Sequence, residues 1–160
     1  TIEAGKRLGI TVKPIMVPTL NELYSISKVI PQNSQGIFVL KDHLIVSGIS
    51  TLAIAANARQ LPLITSNQDS VIEGAGFAVG VFERDIGVIA AKQIKEVLEG
   101  KNVCDIPIVQ MTELRAFVNK KSLVAEGQDP EVIIAAAKQQ GYPLTFVGDE
   151  TKTKTKNGTS

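Results

Sequence analysis

The sequence has few of the residues that build metal centres, disulfides and aromatic cores. Its 160 residues include one Cys, one His and no Trp, and aromatic residues make up only 4%. A lone Cys104 excludes an intrachain disulfide and a cysteine-based metal site. Because aromatic side chains are scarce, the core must be aliphatic, which suits parallel strands rich in Val and Ile.

An excess of charge and long apolar runs are missing as well. The 17 basic and 16 acidic residues leave a net charge of +1, so no broad attraction to nucleic acid or anionic lipid is indicated. No apolar run reaches the length of a membrane-spanning helix. The chain begins at Thr1 within a helical pattern and without Met. We interpret it as part of a longer protein, so a missing signal peptide says little.

Recognisable catalytic motifs are also missing. The sequence contains no phosphate-binding P-loop. The segment Gly74-Ala75-Gly76 lacks the later glycine of a dinucleotide-binding fingerprint, and Ser47-Gly48 lacks the glycine two positions before the Ser of a nucleophile elbow. The sequence therefore predicts a protein that is not an enzyme, with no cofactor and no metal site.

The most informative stretch is residues 36–82, in which three apolar runs each end abruptly in polar residues. Buried strands with polar carboxyl ends indicate an open parallel α/β sheet, and such sheets bind ligands at those ends. The runs, each with the polar segment that follows it, are Ile37–Leu40 with Lys41–His43, Leu61–Ile64 with Thr65–Ser70, and Gly76–Phe82 with Glu83–Asp85.

Helix and strand patterns alternate along the whole chain, which is typical of a sheet between helix layers. The predicted strands are 10–17, 37–40, 63–66, 78–82, 106–111, 114–118 and 142–147. The predicted helices are 1–8, 22–30, a helix after Ser47 through Arg59, a short helix from Asp69 or Ser70, 86–98 and 130–140. The predicted fold class is α/β, an open and mainly parallel sheet flanked by helices. Residues 149–160 are polar and repetitive, and they predict a disordered tail.

Four polar side chains are predicted to cap helices. Asn21, Ser47 and Asp85 each precede a helical pattern and offer an oxygen to its first free N–H groups. Asp129 does the same, and Pro130 after it fits the first turn of a helix.

The polar residues at the strand ends are the candidate binding site. If the three strands are neighbours, these groups converge on rigid elements, as the binding of a small polar solute requires. Each residue could instead be a solvated turn residue or a helix cap, and a lone His in a polar loop is usually neither a switch nor a ligand. The predicted ligand-binding residues are Asp42, His43, Asn67, Asp69, Ser70 and Glu83.

Three of these segments carry a resemblance to a known family. Asp42 matches the Asp of a Thr-Asp-Asn-like turn, Asn67–Val71 matches an Asp-Ser-Asp-Ser-Val motif, and Asp85–Gly87 matches the start of a late helix. In this order and spacing they resemble the substrate-binding proteins of ABC importers, in particular the amino-acid (tryptophan-type) branch. The similarity runs over about residues 1–125.

The sequence departs from that family's pattern at four positions. His43 stands where Asn is usual, Asn67 stands for Asp, and Glu83 and Arg84 replace a common pair of Tyr residues. The departures place an aromatic amino-acid ligand in doubt and leave a binding role intact.

The resemblance implies one part of a fold with two Rossmann-like lobes that close on a ligand. Residues 1–82 would form most of the second lobe, 83–105 a crossover helix that packs on the missing lobe, and 106–148 C-terminal strands and a helix. The apolar face of helix 86–98 would then be uncovered in this chain, which predicts self-association through it.

The function that the resemblance implies is solute binding for an ABC importer. The implied ligand is a small polar molecule such as an amino acid, and the implied protein partner is the ABC permease, with no nucleic acid involved. The implied location is periplasmic or otherwise extracytoplasmic, with a lipid anchor in a Gram-positive source.

Two alternatives remain open from the sequence. The same fold serves as the ligand-sensing effector domain of transcriptional or signalling regulators. An enzyme of flavodoxin-like topology is the other alternative, but it should carry a phosphate site at a helix N-terminus, and no glycine pattern for one is present.

Overall fold

The centre of the molecule is a five-stranded sheet with the strand order β1-β2-β3-β4-β5. The computed structural model describes residues 1–148, except for the side chains of Ile26, Ser27 and Val29. Three neighbouring pairs are parallel, and β3 and β4 are antiparallel. The strands are β1 Ile37–Phe38, β2 Leu63–Thr65, β3 Phe77–Gly80, β4 Arg115–Val118 and β5 Leu144–Phe146.

Helices surround this sheet and connect its strands. Within residues 1–148, none of them combines the length and apolar character needed to cross a membrane. The helices are α1 Ile2–Arg7, α2 Leu20–Val29, α3 His43–Ser47, α4 Ile49–Arg59, α5 Gln68–Ile72, α6 Glu83–Leu98, α7 Lys120–Ala125 and α8 Pro130–Gln139, with a 3-10 turn at Val103–Asp105. Two of these helices, α3 and α7, were not predicted from the sequence.

The core forms where α4 lies on the sheet. Ala53 and Ala56 are buried on this helix and pack in one cluster with Leu52, Leu63 of β2 and Leu23 of α2. Small Ala side chains let a helix approach a sheet closely, and each fully buried Leu stabilises the fold by about 1.5–3 kcal/mol. This core therefore supports the strands whose ends carry the polar residues.

The predicted caps are only partly correct. Asp129 does cap α8, because its side chain accepts from the Glu131 N–H at 2.9 Å. The prediction for Asn21 is wrong, since Thr19 caps α2. Ser47 ends α3 and donates to the His43 carbonyl oxygen at 2.6 Å. Asp85 lies inside the first turn of α6, which begins at Glu83 and so earlier than predicted.

Two predicted strands are absent from the described chain. Residues 10–17 and 106–111 are irregular. Pro14 and Pro107 each remove an N–H that a strand ladder would need, and Ile108 is 99% exposed. The apolar residues of these two segments therefore lie mostly on the surface and do not form a buried strand.

The strand pairing adds one feature that the alternating pattern did not predict. The connection through α6 returns the chain so that β4 runs against β3, with Phe117 opposite Ala78. The sheet is therefore mixed, although mainly parallel. The predicted tail at 149–160 lies outside the described residues.

Helix α6 stands apart from the core. In the described chain none of its residues is buried, and its exposed apolar side chains include Ile86, Ile94 and Leu98. A hydrogen bond from Gln93 Nε2 to the Pro107 carbonyl oxygen, at 2.9 Å, joins the helix to the irregular segment that follows it.

Candidate functional site

The carboxyl ends of β1, β2 and β3 lie side by side because these three strands are parallel neighbours. The backbone N–H of Lys41 donates to Ser66 Oγ at 2.8 Å and so joins the loop after β1 to the loop after β2. The ammonium of Lys41 also forms an ion pair with the carboxylate of Glu83, which begins α6 shortly after β3. Polar groups from three strand ends therefore meet at one edge, which we call the carboxyl edge.

Gly80 permits the close packing of this edge. A Cβ at Gly80 would collide with the Ser66 carbonyl group. Because glycine has no Cβ, the loop that carries Ser66 and Asn67 can lie directly against the end of β3.

Asn67 and Ser70 form the buried part of the carboxyl edge. Asn67 is 4% exposed and Ser70 is fully buried, and Ser70 Oγ donates to Asn67 Oδ1 at 2.8 Å. Among the described residues, Asn67 Nδ2 has no hydrogen-bond partner. A buried donor without a partner costs about 1–3 kcal/mol, and such a group in a native structure calls for an explanation such as a binding role.

Asp42, His43 and Asp69 lie at the same edge but are exposed. Asp42 caps α3, since its Oδ1 accepts from the N–H groups of Leu44 at 2.9 Å and Ile45 at 3.2 Å. His43 begins α3, and Asp69 lies in the first turn of α5. The structure therefore joins Asn67 to Ser70 and Lys41 to Glu83, and it shows the other three predicted residues at the starts of α3 and α5.

Sequence reasoning missed a cluster beside Glu83. Arg115 on β4 lies over the ring of Phe82, with its guanidinium carbon 5.3 Å from the ring centroid. Its Nη2 is 3.9 Å from Asp85 Oδ2, and the rings of Phe82 and Phe117 are 6.3 Å apart. Only the antiparallel pairing of β4 with β3 brings Arg115 here, so no local sequence signal could have shown it.

The amino ends of the strands hold a second feature that the sequence did not reveal. Glu126, after α7, is fully buried. Its Oε2 accepts from the Leu63 N–H at 3.0 Å and its Oε1 from the Gly76 N–H at 2.8 Å. Burial raises the pKa of the Glu126 carboxyl from 4.5 to about 7, although both hydrogen bonds act to lower it. We call the side of the sheet where the amino ends of β2 and β3 lie the amino edge.

Glu126 stabilises the fold and lies away from the carboxyl edge. It joins the starts of β2 and β3 to the end of α7, and each oxygen has a backbone partner. Within residues 1–148 no group of three or more His, Cys, Asp or Glu side chains is arranged to hold a metal ion.

A comparison with protein families decides what kind of protein has this architecture. The family model described as ABC transporter substrate binding protein matches residues 1–140. The chain belongs to this family. The family resemblance predicted from the sequence is therefore confirmed. Substrate-binding proteins of ABC transporters are solute-binding proteins and not a class of enzymes.

Two curated relatives are similar to this chain. An uncharacterized protein of Rickettsia prowazekii is 42% identical over 122 residues, which are 76% of this chain and 40% of the relative. The tyrosine-binding protein of Clostridioides difficile is 36% identical over 89 residues, which are 56% of this chain and 26% of the relative. The chain thus spans less than half the length of both relatives.

A solved structure confirms the fold class. The ABC domain from Streptococcus pneumoniae in complex with L-Trp superimposes with a TM-score of 0.72 at 27% identity. The match covers 84% of this chain and 48% of the solved one. The predicted open, mainly parallel α/β sheet of the periplasmic-binding-protein type is therefore correct.

Proposed function

We propose that this chain is the ligand-binding lobe of a substrate-binding protein that delivers an amino acid to an ABC permease outside the cytoplasm. Family membership supports the solute-binding part of the proposal. A relative named tyrosine-binding protein and a solved complex with L-Trp support an amino acid as the solute class. The observation that carries the proposal is the buried, unpaired amide donor of Asn67 at the carboxyl edge.

Asn67 and Ser70 are the core of the proposed site. Ser70 Oγ donates to Asn67 Oδ1, and in this orientation of the amide Nδ2 has no partner among the described residues. A carboxylate or carbonyl oxygen of a ligand would accept from that donor and remove the cost of leaving it unpaired. The amide would become accessible through a small displacement of the loop that follows β2.

The exposed residues of the carboxyl edge form the proposed rim. Asp42, His43, Asp69 and Glu83 follow the same strand ends and are exposed, and in this proposal they would contact the polar ends of a ligand. Asp42 keeps its capping role at the same time, because only its Oδ1 holds the two N–H groups of α3.

The uncovered side of the chain suits a second lobe. A cavity of about 360 Å³ lies between α6 and the segment 110–113, and its lining includes Val88, Ile89 and Met111.

In our proposal residues 1–82 form most of one lobe, α6 within 83–105 packs on the other lobe, and 106–148 complete the sheet. Closure of the two lobes on the ligand would be the state that the permease recognises. Without that lobe, the face of α6 would associate with another copy of the chain.

Nuclear magnetic resonance tests the binding role on the 160-residue chain itself. Amide shifts of the ¹⁵N-labelled chain are followed during titration with a panel of amino acids and nucleosides. We expect saturable shifts at Asn67 and Ser70, with a dissociation constant on the order of 1 mM because one lobe supplies only half of the contacts. A panel that shifts no amide of the carboxyl edge would contradict the proposal.

A matched pair of variants assigns the binding to Asn67. Asn67→Ala removes the free amide donor, and Asn57→Ala removes an amide on α4 whose buried Oδ1 is also unpaired among the described residues. We expect the first change to abolish the saturable shifts and the second to leave them unchanged. Cellular uptake of the bound amino acid, measured with and without this protein, tests the role in import.

A further inference from the structure

The ion pair between Lys41 and Glu83 lies at the carboxyl edge, at the place that we take as the entrance of the proposed site. Lys41 follows β1, Glu83 follows β3, and β2 lies between those strands. The pair therefore passes over the carboxyl end of β2, where Ser66 and Asn67 are located. The two side chains are 59% and 48% exposed, so solvent or a ligand can reach both.

Both residues of the pair are anchored through the backbone, although their side chains are exposed. The Lys41 backbone donates to Ser66 Oγ at 2.8 Å, and Glu83 is the first residue of the 16-residue helix α6. The fold therefore brings a positive and a negative group together at the carboxyl edge, where both can exchange partners with a ligand.

The aromatic side chain next to this pair is already engaged. Phe82 contacts the guanidinium of Arg115 on its ring face, at 5.3 Å, and lies against Phe117 with a tilted ring. An aromatic ligand would have to displace these contacts before it could stack on Phe82.

We propose that Lys41 and Glu83 select an amino acid with a carboxamide side chain over phenylalanine and tryptophan; the proposal rests on the binding role proposed above. A carboxamide oxygen accepts from the Lys41 ammonium while its NH₂ group donates to the Glu83 carboxylate, so both charges keep a partner. A phenyl or indole ring placed over the pair would remove water from both charges and could not hydrogen-bond to both of them.

Titration of the ¹⁵N-labelled chain with L-glutamine, L-asparagine, L-tryptophan and L-phenylalanine tests the selection. Because both charges are about half exposed, we expect a modest preference, with dissociation constants about fivefold lower for the two carboxamide ligands than for the two aromatic ones. Equal or tighter binding of L-tryptophan or L-phenylalanine would overturn the selection and leave the binding role intact. No binding of these four or of the wider panel would contradict the binding role itself.

Two ion pairs of the chain provide a matched comparison. Lys41→Met with Glu83→Met removes the pair at the entrance, and Lys101→Met with Glu96→Met removes a pair of 2.6 Å at the far end of α6. We expect the preference to disappear in the first variant and to persist in the second. The single change Glu83→Gln provides a milder second test, since it removes one charge from an exposed position and keeps the shape of the side chain. A preference that survives both Lys41→Met with Glu83→Met and Glu83→Gln would overturn the role of the pair.

Discussion

The two edges of the sheet use the same residue type in opposite ways. At the carboxyl edge Glu83 is half exposed and pairs with one exposed Lys41. At the amino edge Glu126 is fully buried and holds two backbone N–H groups. An exposed ion pair is weak and adjustable, whereas removing one partner of a buried hydrogen-bonded carboxylate is costly. The carboxyl edge, whose charged groups can change partners, is therefore suited to binding. The amino edge, where each oxygen of Glu126 holds a backbone N–H, is suited to a structural role.

The largest effect should come from Gly76 at the amino edge. A Cβ at this position would lie 2.7 Å from Leu123 Cδ2 and would collide with Glu126 Oε2, so Gly76→Ala would push the carboxylate away from its N–H partners. We expect a loss of about 3 kcal/mol in the free energy of unfolding, measured by urea denaturation.

Gly87→Ala is the matched control for that change. Gly87 lies in α6, and apart from its chain neighbours and the adjacent backbone of its own helix, no described atom lies within 4 Å of where its Cβ would be. Alanine favours a helix over glycine, so this variant should gain about 1 kcal/mol in stability. Equal stability of the two variants would contradict the role assigned to the amino edge.

The pH dependence of stability should be the next largest effect. The pKa of Glu126 in the folded state, about 7, lies above its usual value of 4.5, so the folded chain holds more protons than the unfolded chain between these pH values. Its stability should therefore fall as the pH rises from 4.5 to 7, by about 3 kcal/mol at most, and change little above that.

Two Gln variants separate the edges in that experiment. Urea denaturation at several pH values should show the fall in the native chain and in the control variant Glu83→Gln, but not in Glu126→Gln. A fall that persists in Glu126→Gln would show that another group causes it.

The smallest effect on stability should come from the entrance ion pair. Lys41 and Glu83 are both about half exposed, so Glu83→Gln should cost no more than about 1 kcal/mol in the free energy of unfolding. The same urea titration measures it at neutral pH. A loss as large as that of Gly76→Ala would show that the carboxyl edge is structural and would remove the contrast between the two edges.

Features that depend on local pattern were predicted from the sequence. The apolar runs located β1, β2 and β3, and Asp129 followed by Pro130 located the start of α8. These signals are local because capping and burial of a strand involve residues that lie close together in the chain. The convergence of the strand ends also followed, since parallel neighbours place their carboxyl ends at one edge.

Features that depend on distant residues were not predicted. Glu126 bonds to Leu63, which lies 63 positions away, and Arg115 reaches Phe82 only through the antiparallel pairing of β4. The apolar pattern of 10–17 and 106–111 predicted strands because composition alone does not distinguish a buried strand from an exposed apolar segment. Long-range pairing, which decides such cases, leaves no short pattern in the sequence.

The central claim is that the carboxyl edge binds an amino acid through the free amide of Asn67. The most direct measurement is the amide-shift titration of the native chain beside Asn67→Ala and Asn57→Ala. We expect saturable shifts at Asn67 and Ser70 in the native chain. These shifts should persist in Asn57→Ala and be lost in Asn67→Ala. Shifts that persist at the carboxyl edge of Asn67→Ala would contradict the claim.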